Sequence, residues 1–238
     1  MDTHLDFDGT TVLITGAAGN LGAAVARAFA ARGARLALVD LDEAALRRTF
    51  GEPGGLRLFV GADLLQPAAA DAAAARAVAH FGRIDVLCNL AGGFRMGEAV
   101  HETSAATWDL MLGLNARTVL HMAHAVVPGM LAAGGGRIVN VGAFAAQKGV
   151  AHMGAYVAAK SAVIRLTEAL SAELREQRIN VNCVLPTIID TPENRAAMPD
   201  ADPARWVAPA DLAAVIVFLA SDAARAIHGA AVPVTGLS

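Results

Sequence analysis

Short runs such as TVLIT (11–15), RLALVD (35–40), GRIVNV (136–141) and INVNCVLP (179–186) recur along this chain, apolar almost without a break. No polar–apolar alternation marks a solvated face. Strands of that kind are covered on both sides, which implies a parallel sheet between two layers of helices. The intervening segments agree. LGAAVARAFAARG, closed by Gly33, and AAADAAAARAVAHFG (68–82) are Ala-rich and long enough to serve as crossover helices. Further strands are expected within LRLFVGAD (56–63), IDVLCNLAG (84–92) and AAVPVT (230–235). Further helices are expected across 104–133, kinked at Pro128, and across 153–177. Residues 1–238 read as one α/β domain with seven strands and helices on both faces. One long stretch, 186–209, carries five prolines and no regular apolar pattern. It reads as a substrate-binding loop or lid.

Composition removes several classes of function. A chain that is 55% hydrophobic and 17% charged has ample material for a core and is not disordered. A net charge of −3 offers no basic field to nucleic acid or to an anionic membrane. No apolar run approaches membrane-spanning length, and the first residues, MDTHLDFDG, are polar and acidic. The expectation is a cytoplasmic protein without leader or membrane anchor. Cys88 and Cys183 lie in strand-like runs and are expected as buried free thiols. His121 and His124 share a helix face but lack further ligands, so no metal is expected.

The first strand runs into TGAAGNLG (15–22), whose Gly16, Gly19 and Gly22 lead into a helix. Small residues there let the backbone approach a pyrophosphate, and the helix N-terminus supplies amide donors and a positive dipole end. Asp40 ends the second strand, 18 residues after Gly22. A carboxylate at that point accepts from both ribose hydroxyls and repels a 2′-phosphate. No Arg or Lys lies in the glycine loop or just after Asp40. The cofactor indicated is NAD, with NADH preferred over NADPH.

The chain has one tyrosine, and one of its two lysines stands four residues after it: Tyr156-Val-Ala-Ala-Lys160. That spacing puts both side chains on one helix face. A nearby ammonium stabilises a phenolate and is expected to lower the Tyr156 pKa toward the working range.

These residues together resemble the short-chain dehydrogenase/reductase family. The similarity runs through TGAAGNLG, Asp63 in GADL, NLAGG (89–93), Asn115 in WDLMLGLNARTVL, GRIVNV, YVAAK, INVNCVLPTIIDTP and GAAVPVTG. The resemblance implies a Rossmann fold with strand order 3-2-1-4-5-6-7 and cofactor at the carboxyl edge of the sheet. It implies Tyr156 as proton donor or acceptor and Lys160 as the group that holds the nicotinamide ribose and tunes Tyr156. Asn115 would hold a water of a proton relay. Cofactor contacts would fall on Gly16, Asn20, Leu21, Gly22, Asp40 and Leu41. Asp63 and Leu64 would meet the adenine, and Asn89, Ala91 and Gly92 the adenosine side. Pro186, Ile189 and Thr191 would join Tyr156 and Lys160 around the nicotinamide. A homodimer or homotetramer built on the helices around 104–133 and 154–177 is also implied.

Three positions depart from the family pattern. Asn20 stands for the usual middle glycine, with glycine moved to Gly19. Thr187 stands for the glycine after Pro186. Ala143 stands for the serine that donates a hydrogen bond to the substrate oxygen. Removal of one oxyanion donor costs about 2.7–4 kcal/mol.

The dihydropteridine reductases of the family lack that serine, and this chain is similar to them in AGGF (91–94), GAFAAQKG (142–149) and LPTIIDTPENRAAMPDADPARW (185–206). A quinonoid dihydropterin needs no second oxyanion donor, and an alanine leaves room for a flat ring. Phe94, Ala143, Gln147 and Met153 are the expected substrate-lining residues. The reading is a short-chain oxidoreductase moving hydride between nicotinamide and a small carbonyl, alcohol or quinonoid substrate. Reduction of a quinonoid dihydropterin is one alternative and a non-catalytic NAD-binding protein another. Retention of Tyr156, Lys160 and Asn115 together speaks against the latter.

Overall fold

The computed structural model describes residues 5–238; the first four, on which part of the leader reading rests, lie outside them. Seven strands form one sheet: β1 (Thr11–Thr15), β2 (Arg35–Asp40), β3 (Arg57–Gly61), β4 (Val86–Asn89), β5 (Gly136–Val141), β6 (Ile179–Pro186) and β7 (Ala231–Val234). Their order is β3-β2-β1-β4-β5-β6-β7, and every pairing is parallel. The unbroken apolar runs have their expected cause: all residues of β1 and of β6 are buried.

Among the described residues the α-helices are α1 (Asn20–Ala30), α2 (Glu43–Phe50), α3 (Pro67–Phe81), α4 (Ala105–Leu112), α5 (Thr118–Ala132), α6 (Gly154–Leu174), α7 (Pro192–Ala197) and α8 (Pro209–Leu219). One core lies between the sheet and α1 with α8, around Val25, Phe29, Leu212 and Ile216. The other lies beneath α3 and α5, around Ala73, Ala77, Met122 and Met130. The alanine content of these helices is thus a packing feature, since small side chains let helix and sheet approach closely. Two asparagines inside β6 bind the segment that leads into β7. Asn180 Nδ2 donates to the Arg225 and Ile227 carbonyls, and Asn182 binds the Ile227 carbonyl and the Ala230 amide. Together they pin the approach to β7.

Three expectations need correction. The sequence reading assigns no helix to α2 or α8. α2 has only 8 residues, and α8 (PADLAAVIVFL) is apolar nearly all round and shows no amphipathic period. The 186–209 stretch is not structureless. It holds α7, a 3₁₀ turn at Pro203–Arg205 and a bridge between Ile189 and Val207. Thr191 and Asp202 cap these short helices, each followed by proline at the first helical position, a start signal legible in the sequence. Trp206, in the same stretch, is buried. The long helix read over 153–177 ends at Leu174 and continues as a 3₁₀ turn. Among the described residues no helix is long and apolar enough to cross a membrane.

Candidate active site

The site forms where β1, β4, β5 and β6 end. Thr15, Asn89 and Asn140 stand side by side in register at the carboxyl edge. Thr15 Oγ1 accepts hydrogen bonds from the Leu90 and Ala91 amides, both 3.1 Å, and so sets the path of the NLAGG loop. Asn89 Nδ2 donates to Asn140 Oδ1 (2.8 Å), and Asn140 Nδ2 donates to Thr167 Oγ1 on α6 (2.9 Å). This buried chain ties two strands to the helix that carries Tyr156 and Lys160. Sequence reasoning missed the parts played by Thr15, Asn140 and Thr167. A polar residue inside each apolar run was the available signal.

Between α4 and α5 the helix widens into a π turn, Gly113–Arg117, with Asn115 buried in it. Such turns insert one extra residue and re-aim a side chain inward. Asn115 Nδ2 donates to the Gly93 and Met111 carbonyls, and its Oδ1 accepts the Gly93 amide. The side-chain amide is therefore spent on holding the Gly92–Gly93 backbone. Lys160 is buried, and its Nζ donates to the Val141 carbonyl at 2.8 Å. A Cβ placed on Gly92 would lie 2.7 Å from Asn115 Oδ1 and 3.4 Å from Lys160 Nζ. These three positions converge on one point, and only a glycine fits there.

Tyr156 lies largely buried one helical turn before Lys160, and the Phe94 ring meets it edge-on at 4.8 Å. The electrostatics correct one expectation. Burial pushes the Tyr156 phenol up to about 12, so in the ligand-free protein it is a held proton donor rather than an incipient phenolate. Burial also pulls the Lys160 ammonium down to about 8, an effect that the neighbouring Cys183 thiol partly opposes. Both shifts follow from removal of charge from water. Ala143 is buried among Val163, Ile164, Cys183 and Leu185, with Tyr156 packed against the same cluster. Gln147 is exposed at the end of the short turn Phe144–Gln147, and Met153 stands at the N-terminus of α6. Cys88 and Cys183 are buried free thiols, as expected. His121 Nδ1 is taken up by the Leu64 carbonyl at 2.8 Å.

The glycine loop has the form a dinucleotide requires. Gly16 has φ 63, and a Cβ on Gly22 would lie 2.1 Å from the Gly16 carbonyl oxygen. A side chain at either position would push the loop off the helix. Gly19 precedes α1 without a side chain to cap it, leaving the first-turn amides to another acceptor. Asp40 stands beside this loop, its carboxylate accepting from the Ala18 and Leu41 amides at 2.9 and 2.8 Å. Asn89 Oδ1 is a buried acceptor without a partner. Leu41 is exposed, and Asp63 accepts the Leu65 amide. Leu64 is buried in the core beneath α3 and α5. Across the groove, Thr191 caps α7, and Asn20 Nδ2 donates to Glu193 Oε2 at 2.8 Å. A glycine at position 20 could not make that bond. Pro186 and Ile189 lead from β6 into this segment.

Fold and site together define a nucleotide-binding α/β oxidoreductase. A family model described as short chain dehydrogenase matches residues 10–202. The chain is 38% identical to D-threitol dehydrogenase from Mycolicibacterium smegmatis, over 99% of this chain and 95% of that protein. It is 36% identical to galactitol 2-dehydrogenase (L-tagatose-forming) from Cereibacter sphaeroides, over 98% and 96%. Among solved structures it resembles 3-ketoacyl-(acyl-carrier-protein) reductase from Brucella melitensis complexed with NADH. The TM-score is 0.87 at 32% identity, covering 96% and 98% of the two chains. Carveol dehydrogenase from Mycobacterium avium in complex with NAD superposes with a TM-score of 0.88 at 27% identity, covering 96% and 97%. The chain belongs to the short-chain dehydrogenase family and is an oxidoreductase of that type.

Proposed function

We propose that this enzyme interconverts a secondary alcohol and a ketone with NAD(H), using Tyr156 as its acid–base group. The observation that carries the reading is the convergence of Lys160 Nζ and the Asn115 amide on Gly92, on the helix face and strand edge where Tyr156 stands. A bound nicotinamide would supply the hydride chemistry, and Tyr156, protonated in the ligand-free protein, would give its phenolic proton to the carbonyl oxygen in the reducing direction and take it back as a phenolate in the reverse. The groove between Gly16–Gly22, Asp40, Asn89 and Ile189–Thr191 would hold the cofactor. Asp40 supports the preference for NADH over NADPH, because a 2′-phosphate would meet its carboxylate. Lys160 stands one helical turn after the phenol, on the same face of α6. Asn115 fixes the backbone that both face, and its place in a proton relay belongs to the same proposal. The relatives named for threitol and galactitol oxidation, and the neighbours in complex with NADH and NAD, support this reading.

Ala143 leaves Tyr156 as the only hydroxyl offered at the substrate oxygen by this pair of positions. The quinonoid dihydropterin reading rests on that alanine and on the resemblance of the lid. The relatives reported above are named for alcohol and ketone substrates. A cytoplasmic location and a homodimer or homotetramer are parts of the same proposal. The test is a spectrophotometric screen at 340 nm with NAD⁺ and alcohols, NADH and ketones, and NADH with quinonoid dihydropterin. NAD-linked turnover of an alcohol–ketone pair supports the proposal. Turnover of the dihydropterin alone would replace it.

A further inference from the structure

Thr187 stands where the family pattern has a glycine, and nothing in the reaction proposed above uses its hydroxyl. Its backbone amide donates to the Val234 carbonyl at 3.3 Å, which carries the pairing with β7 one residue past the end of β6. Its hydroxyl donates to the Thr235 carbonyl at 2.9 Å and stands 2.8 Å from the Ser238 hydroxyl. Ser238 in turn donates to the Thr235 carbonyl at 3.0 Å. A glycine at position 187 could make neither side-chain bond.

Residues 235–238 also hold the far end of the same loop. The Leu237 amide donates to the Arg205 carbonyl at 2.9 Å, and Arg205 Nη2 donates to the Leu237 carbonyl at 2.8 Å. Gly236 passes against the Arg205–Trp206 backbone at φ 58. A Cβ there would lie 2.9 Å from the Arg205 carbonyl oxygen and 3.0 Å from that of Trp206, so a side chain would force the two segments apart. The two ends of the loop also meet each other. The Asp190 amide donates to the Val207 carbonyl at 2.8 Å, and the Val207 amide to the Ile188 carbonyl at 2.9 Å.

We infer that residues 235–238 are a strap that fixes both ends of the 187–207 loop before any ligand arrives, with Thr187 as a positioning residue for substrate binding. The inference rests on the placement of Ile189–Thr191 beside the nicotinamide in the proposed function. A binding loop with free ends must be ordered by its ligand, and that entropy is lost from affinity. Here both ends are tied to a segment that continues β7, so the ordering is completed on folding. Arg195 of α7 holds Asp190 with two bonds, 2.6 and 2.7 Å, so α7 follows the anchored end. The remaining tie, Asn20 to Glu193, joins α7 to the glycine loop.

Hydrogen exchange on the ligand-free wild type, Thr187→Val and Thr187→Ser tests the strap. Valine keeps the shape of the side chain and removes the hydroxyl, whereas serine keeps the hydroxyl. In Thr187→Val the Asp190, Trp206 and Val207 amides should exchange roughly fivefold faster or more, and in Thr187→Ser at the wild-type rate. The amides of Val181 to Leu185 in β6 should change in neither. Gly236→Ala, which disturbs the strap from its other side, should reproduce the valine pattern. On the best substrate of the 340 nm screen, Thr187→Val should raise KM roughly threefold or more and keep kcat within about twofold. Faster exchange confined to residues 187–190 would overturn the inference, because Thr187 would then hold only its own end. So would faster exchange throughout β6 and β7 with a fall in kcat, which would mark general weakening. Equal exchange in wild type and Thr187→Val would overturn it too, as would an unchanged KM in a variant whose loop exchanges faster. If no substrate of the screen turns over, the reading of the reaction fails by itself, and the exchange pattern still decides the strap.

Discussion

Ala143→Ser is the substitution whose outcome depends most on the geometry. The site is 4% exposed and packed among Val163, Ile164, Cys183 and Leu185, so a hydroxyl there is buried in the ligand-free protein. An unpartnered buried hydroxyl costs about 1–3 kcal/mol. For a chain of this size each kcal/mol shifts Tm by about 2–4 °C, so the variant should melt roughly 2–12 °C lower. With a ketone bound, the same hydroxyl gains an acceptor. A well-formed oxyanion donor contributes about 2.7–4 kcal/mol to the transition state, and a tenfold gain in kcat on the best ketone is the lower expectation. The assay pairs melting curves with NADH oxidation on a ketone panel and on quinonoid dihydropterin. A lower Tm with no gain on any ketone would show that position 143 does not face the substrate oxygen. A wild type active on dihydropterin, and harmed by the serine, would show that the alanine serves a flat ring.

Three further outcomes follow from the structure. Asp40 should favour NADH over NADPH by at least tenfold in equilibrium titration, about 1.4 kcal/mol, and Asp40→Asn should narrow that preference; equal affinities for the wild type would refute the role of its carboxylate. Lys160 has its folded pKa depressed to about 8 from 10.5, so the unfolded chain holds more proton between those values and stability rises with pH across that window. The cost of burying the ammonium, about 3 kcal/mol, is present in full below pH 8. Lys160→Met should therefore melt above wild type at pH 7, with the gap closing toward pH 10, and parallel melting curves would contradict this. Glu193→Ala removes the bond to Asn20 across the cofactor groove, and should speed both hydrogen exchange over 192–197 and NADH dissociation by roughly two- to tenfold; unchanged exchange would show that the bond holds nothing.

The seven strands were legible because parallel, doubly covered strands leave unbroken apolar runs such as INVNCVLP, whereas their order came from the family resemblance alone. The Tyr156–Lys160 pair and the glycine loop were legible because their spacing is local. What escaped was non-local or featureless. Nothing around Thr15 or Asn140 says which amide or amide oxygen will lie opposite across the sheet. α8 is too uniformly apolar to show a period, and α7 is too short to show one. The direction of the Tyr156 shift was misjudged for a related reason. Sequence spacing shows the neighbouring lysine but not the depth of burial, and here burial of both groups dominates.

The central claim is that Tyr156 moves the proton in a nicotinamide-linked reaction. The most direct measurement is single-turnover NADH oxidation by Tyr156→Phe alongside an NADH titration, on whichever ketone the wild type reduces best. The ring and its edge-on contact with Phe94 survive this substitution, and only the proton donor is lost. The account predicts a rate lower by about 10²–10⁴ with NADH affinity unchanged, the scale of a lost general acid. A variant that keeps near wild-type turnover would contradict it and place the chemistry on another residue.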